Sequence, residues 1–301
     1  VHIWKAHNTT CHSRFVPPPI PMYGNQHNGV NLPDTCFNGT GKWNMHHVFV
    51  ISDWGGIMPG YNGNSAVDLR SYDHVAPADH TRFGGHTREF KNGTDEWAQW
   101  RVADQLKKYA KEFQPDYFLQ AGDAFYWGGI ETHCGTPLTY APVSPQTKAI
   151  FEDVYNGPGV DGKQWLGVLG NHDYGGWMYL GAWDQVIGYT WGGPGSTGRW
   201  MMPAQYWAAK VHYDDVSVDY YFLDTNLFDA QDLKPSGHNI CNPQKVAMSF
   251  SASCGKSGPE SPQHCPGWFK ELWNKQKGWM DYLLPKSTAD WQIVVTHFPP
   301  T

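Results

Sequence analysis

The sequence predicts an α/β protein in which two packed mixed β-sheets are flanked by helices. Three features of the 301 residues lead to this prediction. Four short apolar runs each end in a polar loop, which is typical of strands buried within a sheet. An amphipathic helical pattern links the first two runs, as expected for a parallel strand–helix–strand unit. A pair of alternating runs farther along the chain predicts a hairpin, and hence a second sheet.

The composition is that of a folded protein that does not bind nucleic acid. Its hydrophobic share of 40% is enough to bury a core, and its net charge of −6 comes without a Lys/Arg-rich patch for nucleic acid or membrane. No apolar run reaches the roughly 18 residues of a membrane span, so we expect none. The 16 Trp residues are unusually many. We expect them in the core and loops rather than in a carbohydrate-binding platform.

Cysteines and glycosylation sequons predict an oxidising compartment. The six cysteines are even in number and never form a Cys-x-x-Cys pair, which favours disulfides over a zinc knuckle. Val1 begins no charged and apolar leader, so we expect a signal peptide to have been removed. The protein is therefore expected to be secreted, extracellular or lysosomal. The Asn-x-Thr sequons that predict N-glycans are Asn8, Asn38 and Asn92.

Residues 1–45 predict an irregular, proline-rich arm, and residues 46–301 the main domain. The arm contains a polyproline stretch at 16–21, and its flanks show neither a helical nor a strand period. We expect it to wrap the domain and to be tied by Cys11 and Cys36. Its histidines match no metal-ligand spacing, so we expect them in solvent.

The first strand is predicted at Val48–Ile51 and, being apolar throughout, is expected to be buried on both faces. It ends in Asp53-Trp54-Gly55-Gly56, whose glycines allow a tight turn beside a bound ion. An Asp53 that only caps this turn is the open alternative. The polar residues 57–93 predict a long surface insertion, the best place for substrate or partner specificity.

A helix is predicted next, with Thr94 as N-cap and an end before Pro115. Its apolar positions recur every three or four residues, at Trp97, Trp100, Ala103, Leu106, Ala110 and Phe113. The strand that follows, 117–120, ends in a sharp loop. Asp123 and Tyr126 are three residues apart in this loop, so both can face one ion, whereas Phe125 should face the core.

The third strand, 165–169, is predicted after a second insertion at 131–144 and a helix at 145–154. It delivers Gly170-Asn171-His172-Asp173. An Asn oxygen is a neutral ligand for a divalent ion, and the adjacent His172 is placed to work beside the metal. A His172 that is merely hydrogen-bonded within the loop is the alternative.

The remaining chain predicts a hairpin of strands 206–211 and 216–223, a helix over 268–283, and a strand 291–295 that ends before His297. Three cysteines lie in or beside the loop between the hairpin and the helix. We expect Cys254 and Cys265 to be oxidised and to pair, with three connectivities open if Cys134 and Cys241 also take part.

The polar residues that end these strands predict a metal site. The carboxyl ends of strands in an open α/β sheet form the usual ligand crevice. Oxygen-rich donors with some imidazole suit a pair of iron, zinc or manganese ions. The candidate residues are Asp53, Asp123, Tyr126, Asn171, His172 and His297.

These motifs stand in the order used by calcineurin-like metallophosphoesterases, and their details resemble the purple acid phosphatases, especially the small tartrate-resistant type. The resemblance implies a four-layer sandwich and a metal-dependent acid phosphatase, in which hydroxide activated by two metals hydrolyses phosphate monoesters. It covers most of residues 47–301. The motifs that carry it are Asp53-Trp54-Gly55-Gly56, Gly122-Asp123-Ala124-Phe125-Tyr126, Phe151-Glu152-Asp153-Val154, Gly170-Asn171-His172-Asp173, Phe222-Leu223-Asp224-Thr225 and His297-Phe298-Pro299.

The resemblance also assigns roles to the candidate residues. Asp53, Asp123 and Tyr126 would hold Fe(III), and Asp123 would bridge to a second, divalent ion, either iron, zinc or manganese. Asn171 and His297 would hold that second ion. His172, the remaining residue of the set, would orient the substrate and protonate the leaving group. Phosphorylated small molecules or proteins would be the substrates, and protein partners remain undefined.

The sequence departs from the family pattern in two places. Ser52 stands before the first Asp, where a Gly is usual. The Gly-His-x-His motif that supplies a histidine to each metal does not occur in residues 1–301, so we expect a longer protein that carries a C-terminal portion; a truncated protein without activity is the alternative. A phosphodiesterase or nucleotidase of the same superfamily, and a non-catalytic glycosylated extracellular component, are the competing functions.

Overall fold

The computed structural model describes residues 11–37, 39, 45–54, 57–58, 67–68, 97–126, 128–130, 132–139, 146–176, 179, 181–193, 195–230, 239–242 and 253–299. The sequons at Asn8, Asn38 and Asn92 and the N-cap predicted at Thr94 lie outside these residues. The strands are β1 Val30–Asn31, β2 Thr35–Cys36, β3 Val48–Ile51, β4 Ile57–Met58, β5 Val67–Asp68, β6 Tyr117–Gln120, β7 Trp165–Gly167, β8 Trp200–Met201, β9 Trp207–His212, β10 Ser217–Phe222 and β11 Trp291–Val295. The α-helices are α1 Ala98–Phe113, α2 Trp183–Gly188 and α3 Cys265–Leu283.

The first sheet contains the strands predicted from the first three apolar runs. Its order is β3-β6-β7-β8, and each neighbouring pair is parallel. The expectation that β3 is buried on both faces is wrong, because 65% of Val50 is exposed. The reason is the position of β3 at the edge of the sheet, where none of the described strands pairs with its outer side.

The second sheet has the order β1-β9-β10-β11, and β2 also pairs with β9. Strands β9 and β10 form the predicted antiparallel hairpin, whose turn is closed by the Tyr213 N–H donating to the Val216 carbonyl at 2.8 Å. Strand β11 runs parallel to β10. The two short strands β1 and β2 fall within the arm, residues 1–45, for which the sequence predicts an irregular structure.

The two sheets pack face to face, with helices outside, which confirms the predicted layers. Alternate residues of both sheets, such as Leu119 and Leu166 in one and Val211 and Phe222 in the other, share one apolar core. Helix α1 contributes to a second core on the outer face of the first sheet, and α3 covers Ala208, Tyr221 and Leu223 of the second. The described Trp residues that are fully buried are Trp165, Trp183, Trp200 and Trp207.

The helices follow the apolar periodicity. Helices α1 and α3 confirm two predicted helices, and α3 begins with a proline in its first turn, where the missing N–H costs nothing. The helix predicted over 145–154 is a short π-helix, Thr147–Glu152. Within the described part of the chain, no helix combines the length and apolar character needed to cross a membrane.

Three disulfides tie the described loops. The bond Cys11–Cys36 confirms the tie predicted for the arm. The expected Cys254–Cys265 pair is wrong, because Cys254 bonds Cys134 and Cys265 bonds Cys241. Cys265 opens helix α3 beside Cys241, whereas the loop around Cys134 packs against Cys254. Tertiary packing, rather than closeness in sequence, therefore selects the partners.

Candidate metal centre

The predicted ligand residues meet at the carboxyl ends of the strands. Asp53 follows β3, Asp123 follows β6, Asn171 follows β7, and His297 follows β11 of the second sheet. Asp53, Asp123 and His297 each offer one ligand atom, and these atoms all lie within 4.8 Å of one another. Both sheets therefore contribute to one cluster of donor groups.

Asn171 and Tyr126 complete this cluster. The Asn171 Oδ1 atom lies 3.1 Å from His297 Nε2, which is also 3.4 Å from Asp123 Oδ2. The Tyr126 hydroxyl donates to Asp53 Oδ1 at 2.8 Å. Every residue that the sequence proposed as a metal ligand thus lies at this one place.

The remaining candidate, His172, lies beside the cluster. Its ring centroid is 4.3 Å from that of Tyr126, and its backbone N–H donates to Asp123 Oδ1 at 2.9 Å. The side chain is buried, with 4% exposed. Phe125, expected in the core, is 1% exposed and packs in the outer core of the first sheet.

The backbone at the two aspartates is unusual. Asp53 has a φ of 57° and Asp123 a φ of 55°, in the left-handed region that residues with a side chain rarely occupy. Both carboxylates are turned toward the cluster by this conformation. The Ser52 hydroxyl, at the position where the family pattern has Gly, donates to the Asp53 carboxylate.

Two glycines permit the close approach of these loops. Gly122 has a φ of +97°, and a Cβ at this position would lie 2.6 Å from His297 Nδ1. A Cβ on Gly170 would overlap the Asp123 carboxylate. Any side chain at either position would push apart residues that the cluster brings together.

Sequence reasoning missed the part played by Asp173. Its carboxylate is fully buried and accepts backbone N–H groups from Asp123, Ala124, Phe125 and Gly170 at 2.8–3.1 Å. The one feature of the sequence that could have indicated this role is the place of Asp173 in the Gly170-Asn171-His172-Asp173 motif. The motif does not show which distant backbone N–H groups the carboxylate will bind.

Neighbouring charges in the cluster shift one another's pKa values. Burial lowers the pKa of His297, but the hydrogen bond and charge of Asp123 outweigh burial and raise that pKa to about 9. Burial acts to raise the pKa of Asp123, yet His297 and His172 together lower it. Burial, followed by the charges of Asp123 and Asp53, raises the pKa of Tyr126. In the protein alone, His297 is therefore protonated and Tyr126 neutral at acid pH.

The donor set fits a pair of metal ions. Two carboxylates, a phenol, an amide oxygen and an imidazole are ligands that iron, zinc and manganese accept. A nearby cation would favour the carboxylate form of Asp173, whose pKa is otherwise raised to about 7 by burial and by the charge of Asp123. Asp53, Asp123, Tyr126, Asn171 and His297 are the residues that would hold the ions.

The chain belongs to the calcineurin-like phosphoesterase family, whose profile matches residues 46–301. Proteins of this family, including the purple acid phosphatases, use binuclear metal centres. The fold and the donor set described above agree with this membership.

Among individual proteins, the chain is similar to acid phosphatases of the purple type. It is 24% identical over 200 residues to tartrate-resistant acid phosphatase type 5 of Oryctolagus cuniculus, covering 65% of this chain and 48% of that protein. It is 28% identical over 127 residues to purple acid phosphatase 7 of Arabidopsis thaliana, covering 42% and 32%. The predicted resemblance is thereby confirmed, although the chain spans about half or less of the length of these relatives.

The chain also has a match among solved structures. It is described as GAP50, the anchor in the inner membrane complex of Plasmodium, and it shares 16% sequence identity with this chain at a TM-score of 0.43. The superposition covers 83% of this chain and 53% of that one.

Proposed function

We propose that the protein is a metal-dependent acid phosphatase that hydrolyses phosphate monoesters. The observation that carries this proposal is the convergence of Asp53, Asp123 and His297 within 4.8 Å, with Tyr126 and Asn171 in hydrogen-bond contact with two of them. Family membership independently supports a phosphoesterase.

The side chains divide into two groups of ligands. Asp53 and Tyr126, joined by a hydrogen bond, would hold Fe(III) together with Asp123. Asn171 and His297, whose side chains lie 3.1 Å apart, would hold a divalent iron, zinc or manganese ion. Asp123 contacts both groups, since it shares a hydrogen bond with Tyr126 and its Oδ2 lies 3.4 Å from His297 Nε2, and it would bridge the ions.

When bound, two such cations lower the pKa of a coordinated water and neutralise charge on the phosphate. Two of the protein's own ligand residues must lose a proton in order to bind these cations. His297 must give up the proton that Asp123 stabilises on it, and Tyr126 must lose its hydroxyl proton. His172 sits against the Tyr126 ring, where its imidazole would orient the phosphate and donate a proton to the leaving oxygen.

The proposed setting is a secreted, extracellular or lysosomal one, with phosphorylated small molecules or proteins as substrates. Three disulfides among the described residues support an oxidising compartment. N-glycans at Asn8, Asn38 and Asn92 remain part of the proposal. An N-terminal arm, residues 1–45, which contributes β1 and β2 to the second sheet, and a domain, residues 46–301, remain the proposed organisation.

Turnover of matched ester substrates tests this function. The full-length protein should hydrolyse p-nitrophenyl phosphate at acid pH faster than bis(p-nitrophenyl) phosphate. Preference for the diester would instead indicate a phosphodiesterase. Absence of turnover in a protein that carries no metal would indicate the non-catalytic extracellular component.

Removal of His172 tests the proposed proton donor. His172→Ala should lower kcat for an alkyl phosphate by about 10²–10⁴-fold, the usual contribution of a general acid. The loss should be smaller for p-nitrophenyl phosphate, because its leaving group needs little protonation. The control is Asp184→Asn, which removes a buried carboxyl that bonds the Gly135 N–H away from the cluster. Equal losses for both substrates would contradict the proton-donor role.

A further inference from the structure

Asp173 joins two of the loops that form the metal cluster. Its Oδ1 accepts the N–H groups of Ala124 and Phe125, and its Oδ2 accepts those of Asp123 and Gly170. Three of these donors belong to the loop after β6 and the fourth to the loop after β7. One carboxylate group therefore spans the gap between the loop of Asp123 and the loop of Asn171.

The three successive N–H groups of residues 123–125 point at the same carboxylate. Successive N–H groups around a left-handed residue form a small concave site that favours an anion, and Asp123 is such a residue, with a φ of 55°. The Asp173 carboxylate fills that site from within the protein. It stabilises the strained backbone that turns the Asp123 side chain toward His297.

We infer that Asp173 is a positioning residue, which sets the distance between the loops of Asp123 and Asn171 and so preorganises the metal site. This inference rests on the metal centre of the proposed function, although not on its catalytic activity. Some residues orient metal ligands through hydrogen bonds without binding the metal themselves. Replacing such a residue typically changes metal affinity by 10–100-fold.

The substitution Asp173→Asn tests whether Asp173 acts by holding the two loops in position or only by filling buried space. An asparagine of the same shape keeps one oxygen, but its NH₂ group would face two of the four backbone donors. The two loops would then move apart. Asp173→Glu keeps both oxygens but displaces them by one methylene, so it should have an intermediate effect.

The control is again Asp184→Asn. Asp184 is as fully buried as Asp173 and accepts backbone N–H groups from Gly135 and Gln185, as well as the Ser257 hydroxyl. Its replacement removes a comparable buried carboxylate, yet it lies outside the cluster. Loss of stability without loss of metal affinity is the result expected for Asp184→Asn.

The experiment is a calorimetric titration of the metal-free full-length protein and its variants with Zn²⁺. Asp173→Asn should bind zinc about 10–100-fold more weakly than the wild type, Asp173→Glu should fall between the two, and Asp184→Asn should match the wild type. Thermal unfolding in chelator confirms that each variant is folded at the titration temperature.

Zinc affinity of folded Asp173→Asn equal to that of the wild type would overturn the inference, as would an equal loss in Asp184→Asn. If Asp173→Asn does not fold, unchanged affinity in Asp173→Glu would overturn it. A wild type that binds zinc but hydrolyses no phosphate ester would contradict the proposed function and leave the inference standing. A wild type that binds no metal would overturn both.

Discussion

Asp53 and Asp123 show how individual residues define the site. The described non-glycine residues with positive φ are these two and Gln114. Gln114 ends helix α1 in the left-handed conformation common at helix ends. The two aspartates end strands, where no such rule applies, so their conformation points to function. Sequence motifs identified both residues, but they gave no indication of this backbone strain.

Tyr126 provides a spectroscopic test at the residue scale. Burial and two carboxylates raise the pKa of its phenol, so only a strongly polarising cation would hold it as phenolate at acid pH. The full-length protein loaded with iron should therefore absorb visible light, and Tyr126→Phe should abolish or strongly shift the band while much of the activity survives. A colourless, iron-free and fully active wild type would place Tyr126 among the packed aromatics.

Gly122 provides a second test, with a closely matched control. Gly122→Ala places a Cβ 2.6 Å from His297 Nδ1, at a φ of +97°. Gly157→Ala introduces a Cβ at a similar φ of +102°, but apart from its chain neighbours no atom of the described residues would lie within 4 Å of it. Both substitutions should destabilise the fold, because both φ values disfavour a side chain. Only Gly122→Ala should weaken Zn²⁺ binding, as measured by calorimetry; similar zinc affinities in the two variants would contradict the proposed packing of His297.

At the scale of elements, apolar patterns located the main strands and helices because each buries a continuous face. Strands β1 and β2 were not predicted, since a strand of two residues cannot show an alternation of apolar and polar side chains. The exposure of β3 was not predicted either, because its apolar residues do not show that it lies at the edge of a sheet. The pairing of Cys254 was missed for a related reason: its partner Cys134 is 120 residues away, and only the folded loops bring them together.

A buried ion pair joins the π-helix Thr147–Glu152 to Arg199, the residue directly before strand β8. Arg199 Nη2 donates to Glu152 Oε2 at 2.5 Å, and the two side chains are 2% and 5% exposed. Tyr189 and Thr197 also donate to this carboxylate. Glu152 belongs to a motif shared with the family, yet its contacts are structural.

Glu152→Gln should therefore lower the free energy of unfolding by about 3–5 kcal/mol at neutral pH, because it leaves the Arg199 charge buried and unpaired. Bonds from Thr197 and Arg199 lower the pKa of Glu152 despite its burial. The stability that the carboxylate contributes is thus complete above the unfolded pKa, about 4.5, and is lost as pH falls through the folded pKa. The gap between wild type and variant should narrow below about pH 4.5.

Denaturant unfolding at several pH values measures this gap. Asp153→Asn is the control, because its pair with Lys148 is half-exposed and should be worth no more than about 1 kcal/mol. A loss of similar size in both variants, or a Glu152→Gln loss that does not change with pH, would contradict the assignment.

On the scale of the whole molecule, the site depends on how two sheets are joined. The loop after β10 links them: Thr225 Oγ1 accepts the Phe298 N–H, next to His297, and the Asn226 side chain donates to the Leu169 carbonyl, next to Gly170. Convergence of the loops after β3, β6 and β7 could be expected from parallel strands alone. The arrival of His297 from the other sheet could not, because an apolar run such as 291–295 identifies a strand but not the sheet that the strand joins.

The central claim is that these loops hold two metal ions, and a crystal structure of the full-length metal-loaded protein tests it most directly. Anomalous scattering at the iron and zinc edges identifies the ions and their positions. We predict two ions roughly 3.5–4 Å apart, bridged by Asp123, with Asp53 and Tyr126 on one and Asn171 and His297 on the other. A fully loaded protein with no ion in contact with Asp123 and His297, or with a single ion bound elsewhere, would contradict the claim.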